Sequence, residues 1–64
     1  MDKALLEYEM KKKHFTIGKM CDTLGISRSA FYRKCNGKSE FTQSEIQTIV
    51  NVLGLESPMG IFFN

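Results

Sequence analysis

Apolar residues recur along this chain at intervals of three and four, the spacing that lines one face of an α-helix. The spacing is clearest between residues 17 and 24 and between residues 46 and 53. The apolar positions there are Ile17, Met20, Cys21, Leu24, Ile46, Ile49, Val50 and Leu53. Leu6 and Met10 form a shorter apolar pattern of the same kind near the start of the chain. Ala30, Phe31 and Cys35 form a second short apolar pattern. The pattern predicts an all-α protein.

Short polar residues mark where these helices are expected to begin. Ser, Thr and Asp are favoured N-caps because a side-chain oxygen can accept an otherwise unpaired backbone N–H. The expected N-caps are Asp2, Thr16, Ser27, Thr42 and Ser57. Thr42 is followed three residues later by Glu45, a capping box, and Ser57 by Pro58, which suits the first helical position. Helices are therefore expected over about 3–13, 17–24, 27–36 and 43–53, with a last single turn from Pro58.

A tight turn is expected between the second and third helices. Gly25 can adopt the positive φ that ends a helix, and Ser27 can begin the next one. The third helix should bury Phe31 and expose its other face, with Asn36 and Gly37 closing it. Two short helices joined by a glycine-containing turn, the second with a basic exposed face, have the layout of a helix-turn-helix.

Charge is distributed unevenly along the chain, although the formal net charge is only +2. Residues 11–38 contain eight Lys or Arg side chains and one acidic residue, Asp22, a balance of +7. The remaining residues contain one Lys and six acidic side chains, a balance of −5. A molecule with this asymmetry presents its basic side to a polyanion. The charge pattern thus favours a nucleic-acid partner independently of the helix pattern.

Length and composition exclude several classes of protein. The 64 residues predict one domain, 1–64, and a chain of this size buries only about 60% of its surface, too thin a core for a deep catalytic cleft. Cys21, Cys35 and His14 do not supply a metal site or a catalytic group, so we expect no enzyme activity and no cofactor. Without a long apolar run or a secretory signal, the protein is expected in the cytoplasm.

Residues 16–38, TIGKMCDTLGISRSAFYRKCNGK, resemble the DNA-binding domains of phage repressors and Cro proteins, the lambda-repressor-like family. The matching residues, at the family spacing without a gap, are Thr16, Met20, Cys21, Leu24, Gly25, Ile26, Ser27, Phe31, Asn36, Gly37 and Lys38. The resemblance implies a compact bundle of about five short helices with the helix-turn-helix at helices 2 and 3. It also implies a transcription regulator that binds double-stranded DNA and represses by occluding a palindromic operator as a homodimer, without a small-molecule effector.

Three groups of site residues follow from this reading. The N-terminal part of a recognition helix reaches base edges in the major groove, and Arg28 or Arg33 could each hold a guanine through two hydrogen bonds. The candidate base contacts are Ser27, Arg28, Ser29, Tyr32 and Arg33. The candidate phosphate contacts are Thr16, Lys19, Asn36, Gly37, Lys38 and Gln43. The candidate dimer or partner contacts are Ile61, Phe62 and Phe63.

The chain departs from the family pattern at two places. Relatives commonly pair a buried arginine with a glutamate at the positions of Met10 and Cys35, and here both are apolar. Because exchanging both partners of a buried ion pair is often neutral, we expect these two side chains to touch. Ile17 replaces a glutamine that braces the helix on DNA in many relatives, which leaves that base contact open.

Several interpretations stay open from the sequence. Gly18 either allows a close approach to a DNA backbone or is tolerated near a helix start. Residues 11–13, all lysine, are either a solvated helix end or phosphate contacts. The apolar ending completes the core, forms a dimer contact, or does both. The alternative function is a protein-interaction module on the same fold, such as an antirepressor or an antitoxin-like partner binder.

Overall fold

Five helices make up the regular structure of this protein in a computed structural model that describes residues 1–63. They are α1 (Lys3–Lys12), α2 (Ile17–Leu24), α3 (Arg28–Cys35), α4 (Gln43–Leu53) and α5 (Met59–Phe62). The radius of gyration over Cα atoms is 10.5 Å, close to the roughly 10.7 Å expected for a compact chain of this length. The expected all-α class and helix count are confirmed, with helix ends within about two residues of their predicted positions.

The predicted N-caps are confirmed for four of the five helices. In α1–α4 the cap oxygen accepts the backbone N–H of the residue three positions on, at 3.0–3.1 Å. The cap residues are Asp2, Thr16, Ser27 and Thr42. The prediction for α5 is wrong by one residue, because Pro58 occupies the N-cap position and Ser57 precedes it. The Ser57 hydroxyl nevertheless accepts the backbone N–H of Met59, two residues on, at 3.0 Å.

Two glycines end the helices that carry the strongest apolar faces. Gly25 follows α2 with φ of 70° and Gly54 follows α4 with φ of 64°. In each case the next residue, Ile26 or Leu55, donates its N–H to the carbonyl five residues earlier. This left-handed ending reverses the chain and returns an apolar side chain to the core. The turn between α2 and α3 is therefore built as the sequence predicts.

The core lies where faces from all five helices meet. Its buried members are Leu6, Met10, Met20, Cys21, Phe31, Cys35, Ile49, Leu53 and Ile61. An edge-to-face series of aromatic rings extends it, with Phe41 packed between Phe31 and Phe62 at centroid distances of 6.0 and 5.5 Å. Ala30, expected inside, is only half-buried. The backbone N–H of Asp2 donates to the Ile61 carbonyl at 2.7 Å, which fastens α5 to the start of α1.

Met10 and Cys35 belong to the same part of this core. Both side chains are buried and both line one small cleft, together with Phe31. Burial, together with the nearby Glu7 and Cys21, raises the pKa of the Cys35 thiol to about 11 against a weaker opposing effect of Lys3. Met10 and Cys35 thus line the same cleft, and direct contact between their side chains stays a prediction.

Candidate nucleic-acid interface

The N-terminal part of α3 presents a polar face that no other element of the described chain covers. Arg28, Ser29, Tyr32 and Arg33 are all exposed, while Phe31 and Cys35 of the same helix are buried. The helix carries three cationic side chains and no acidic one. The Ser27 hydroxyl oxygen accepts the Ala30 N–H, and its own O–H stays available as a donor. All five predicted base-contacting residues thus share one accessible surface.

Arg28 leans against the first turn of α2. A Cβ atom placed on Gly18 would lie 2.9 Å from Arg28 Nη2 and 3.8 Å from Cζ, so the guanidinium occupies the space that a side chain at position 18 would need. The contact joins the first turns of α2 and α3, where the exposed Thr16 and Lys19 also lie. Neither sequence-based interpretation of Gly18 included this intramolecular packing.

The predicted phosphate contacts are all exposed, and three of them, Thr16, Lys19 and Asn36, already make local side-chain interactions. The Thr16 hydroxyl caps α2 by accepting the Lys19 N–H at 3.1 Å. Lys19 Nζ lies 5.0 Å from the centre of the Phe15 ring. The Asn36 side-chain oxygen accepts from Lys3 Nζ at 3.2 Å, which leaves the amide NH₂ as a donor. No salt bridge within the described residues involves the side chain of Lys38.

The backbone around Gly37 does not offer the free N–H groups that the family resemblance implies. The N–H groups of residues 36–39 all donate to α3 carbonyls, at distances from 2.9 to 3.3 Å. Gly37 has φ of 79°, and this left-handed turn folds the chain back onto the helix end and closes those hydrogen bonds. The side chains of Asn36 and Lys38 are therefore the groups left to donate to a phosphate here, and a contact by Gly37 stays a prediction.

Two of the basic side chains, Lys34 and Lys13, are held by hydrogen bonds to other parts of the chain. Lys34 Nζ lies 2.8 Å from Glu45 Oε1, donates to the Glu40 carbonyl at 3.3 Å and sits 5.8 Å from the Phe41 ring centre. Lys13 Nζ donates to the Leu53 carbonyl at 2.6 Å, at the C-terminal end of α4. The basic residues that keep an exposed side chain without a salt bridge inside the described chain are Lys3, Lys11, Lys12, Lys19, Arg28, Arg33 and Lys38.

Glu45 connects α3 to α4 electrostatically. Its carboxylate accepts the Thr42 N–H at 2.8 Å to complete the predicted capping box, and the same oxygen accepts from Lys34. Partial burial alone would raise the pKa of Glu45, but the hydrogen bonds from Lys34 and Thr42 and the Lys34 charge outweigh it and lower the pKa. Gln43, a predicted phosphate contact, begins α4 beside this cluster.

The apolar ending divides into a core residue and an exposed one. Ile61 is 2% exposed and packs in the core, which leaves almost none of its surface for the predicted partner contact. Phe62 is half-buried against Phe41, whereas Phe63 is 52% exposed and Met59, which sequence reasoning did not select, is 60% exposed. Met1, Phe62 and Phe63 line a cleft of about 390 Å³ whose far wall includes Gly37 and Lys34.

Comparisons of this chain with protein-family models, with curated proteins and with solved structures found no match. None of the helices in residues 1–63 combines the length and apolar character needed to cross a membrane. Over the same residues, no group of three or more His, Cys, Asp and Glu side chains is arranged to hold a metal ion.

Proposed function

We propose that this protein is a sequence-specific transcription regulator that binds double-stranded DNA through α2 and α3, which act as a helix-turn-helix of the lambda-repressor-like kind. One observation carries the proposal: the exposed face of α3 combines two arginines, two hydroxyl groups and a tyrosine, with no acidic side chain on the helix. That set suits the base edges and phosphates of a major groove and has no role in the core.

The residues divide into two tasks under this proposal. Arg28 and Arg33 donate to guanine O6 and N7, Ser27 and Ser29 add hydroxyl contacts, and Tyr32 packs on sugar or a thymine methyl. Thr16, Lys19, Asn36, Lys38 and Gln43 hold the phosphates on either side. Phosphate contacts set the register and strength of binding, while the arginines select the sequence.

A homodimer on a palindromic operator extends the proposal to the whole complex. Two copies reading successive major grooves would sit about 34 Å apart, one helical turn. The protein has Cα extents of 26 × 23 × 20 Å, so one copy fits on each half-site without overlap. The exposed Phe63 and Met59 supply apolar surface for a contact between the copies. Bound in this way, the regulator represses by occluding the promoter.

The experiment that tests this function is selection of the purified protein on a random double-stranded library, followed by sequencing. Enrichment of a palindrome with half-sites one turn apart supports a dimeric regulator, and a single half-site supports a monomeric reader. Background binding that is weakened by salt, with no enriched sequence, would contradict the proposal.

A protein-interaction module is the second candidate function. It is favoured by the cleft that Met1, Phe62 and Phe63 line together with Lys34 and Gly37, because this cleft offers both apolar and polar groups to a partner. If the library selection enriches no sequence, binding of a protein partner at this cleft becomes the function to test.

A further inference from the structure

The backbone conformation of residue 18 does not require glycine. Gly18 is the second residue of α2, where glycine is a poor helix former. The glycines with positive φ are Gly25, Gly37 and Gly54, so Gly18 adopts a helical conformation open to any residue. The unusual property of the position is its space, because a Cβ there would meet Arg28 Nη2 at 2.9 Å.

We infer that Gly18 is a specificity-determining residue that acts through Arg28. Because glycine has no side chain, it leaves room for the Arg28 guanidinium to pack against α2. The inference rests on the proposed function, which it extends from α3 to a residue of α2 that makes no base contact itself. Gly18 is thus a positioning residue, and Arg28 is the group that touches DNA.

The Arg28 guanidinium is held by packing, and residues 1–63 leave its hydrogen-bond donors unused. Its side chain takes part in no hydrogen bond or salt bridge within the described residues, so its guanidinium donors remain free for a base. An arginine side chain has many rotamers, and binding is weakened by the entropy lost in ordering them. Packing on Gly18 restricts the guanidinium before DNA arrives, without using its hydrogen-bond donors. Lys34 differs because its ammonium is already bound to Glu45.

Replacing Gly18 with alanine is expected to move Arg28 without disturbing the fold. The colliding atom is the far end of a flexible side chain, which can swing away, and alanine is the better helix former. We expect Gly18→Ala to reduce discrimination between the selected site and a site changed at the Arg28 base pair by about tenfold. Affinity for random duplex should stay within about twofold, because it depends on phosphate contacts.

The decisive test is a double-mutant cycle with Gly18→Ala, Arg28→Ala and both together, each measured on the selected site, the changed site and random duplex. The expected result is that Gly18→Ala reduces discrimination only when Arg28 is present. The matched control is Gly60→Ala, another helical glycine, where a Cβ would meet Leu5 at an ordinary 3.5 Å. Equal loss in both backgrounds, or full discrimination in Gly18→Ala, would overturn the inference.

A DNA-free measurement separates this inference from the proposed function. In the free protein, NMR relaxation of the Arg28 Nε–H group is expected to show slower side-chain motion in the wild type than in Gly18→Ala. Thermal unfolding of Gly18→Ala should occur at or above the wild-type temperature. A wild type without sequence preference would overturn the proposed function together with the specificity role of Gly18. Sequence preference with identical Arg28 motion in both proteins would overturn the inference alone.

Discussion

The lysines of this protein fall into two groups by what their ammonium groups contact. Lys13 and Lys34 donate to backbone carbonyls of other elements and pair with glutamates, so their charge serves the fold. Lys38 has no salt bridge among the described residues and is free to meet a phosphate. Lysines of one basic stretch therefore differ in whether their charge is already paired within the fold, and under the proposed function those without a salt bridge in residues 1–63, such as Lys38, are the ones available to phosphates.

We predict different consequences for Lys38→Ala and Arg28→Ala in DNA binding. Lys38→Ala should weaken specific and random duplexes alike and lower the slope of log affinity against log salt by about 0.9, because one phosphate contact is lost. Arg28→Ala should lose about 1–3 kcal/mol of discrimination at one base pair. Equilibrium titrations at several salt concentrations measure both. Equal losses on specific and random DNA for both variants would contradict this division.

A second prediction at the residue scale concerns Cys35. Burial raises its pKa to about 11, so almost none of the reactive thiolate is present at pH 8. In a Cys21→Ala background, a disulfide reagent should modify Cys35 slowly in the native protein and rapidly in denaturant. The reaction should accelerate as pH rises toward 11 while the fold persists. Rapid modification of the native protein at pH 8 would show that this part of the core is open.

The Glu45 carboxylate adds a charged contact between α3 and α4 to the packing of both helices in the core. Glu45 completes the capping box with Thr42 and binds Lys34 through the same oxygen, while both members of the ion pair keep only about 15% of their side-chain surface exposed. A charged hydrogen bond with this little solvent contact is stronger than a surface ion pair. This Lys34–Glu45 contact therefore depends on Glu45 being ionised.

Protonation of Glu45 should accordingly weaken the fold in acid. Its pKa is lower in the folded protein than the usual 4.5, so this contribution is complete above about pH 5 and disappears as the pH falls through the folded-state pKa. Glu45→Gln should lower the free energy of unfolding at pH 7 by about 1 kcal/mol and reduce its dependence on pH below about pH 5. Denaturant titrations across that range check this.

The matched control for this experiment is Glu56→Gln. Glu56 is exposed and takes part in no ion pair within residues 1–63. We expect Glu56→Gln to leave stability at pH 7 within about 0.5 kcal/mol of the wild type. If both variants behave alike, the Glu45 cluster does not hold α4 in place.

At the scale of the whole molecule, α5 closes the core with Ile61 and leaves Phe63 outside. Ile61→Ala should lower the free energy of unfolding by about 2–4 kcal/mol, a large part of the stability of so small a domain. Phe63→Ala should change stability by less than about 1 kcal/mol. It should instead reduce the cooperativity of binding to a palindrome, as measured on one and two half-sites. Loss of stability in both variants would place Phe63 in the core.

The sequence predicted the parts of this structure that depend on near neighbours. Four N-caps and the glycine endings after α2 and α4 are determined by residues a few positions apart in the sequence. The capping box likewise involves only Thr42 and Glu45. The contacts of Arg28 with Gly18, Lys34 with Glu45 and Lys13 with Leu53 span 10, 11 and 40 positions. Helical periodicity carries no information at those separations. Only the packed chain reveals which basic side chains are free.

The hydrogen bond from the Asp2 N–H to the Ile61 carbonyl holds α5 beside the start of α1, so the order in which the helices follow one another could be changed. Met1 and Phe63 line the same cleft, so in a variant made from residues 1–64 a short linker could join residue 64 to residue 1, with new ends opened between Gly54 and Ser57. Such a circular permutant would run from α5 directly into α1 and leave the α2–α3 turn intact. The α1–α5 pairing would then be local, and a lower contact order should make the permuted chain fold faster than the original.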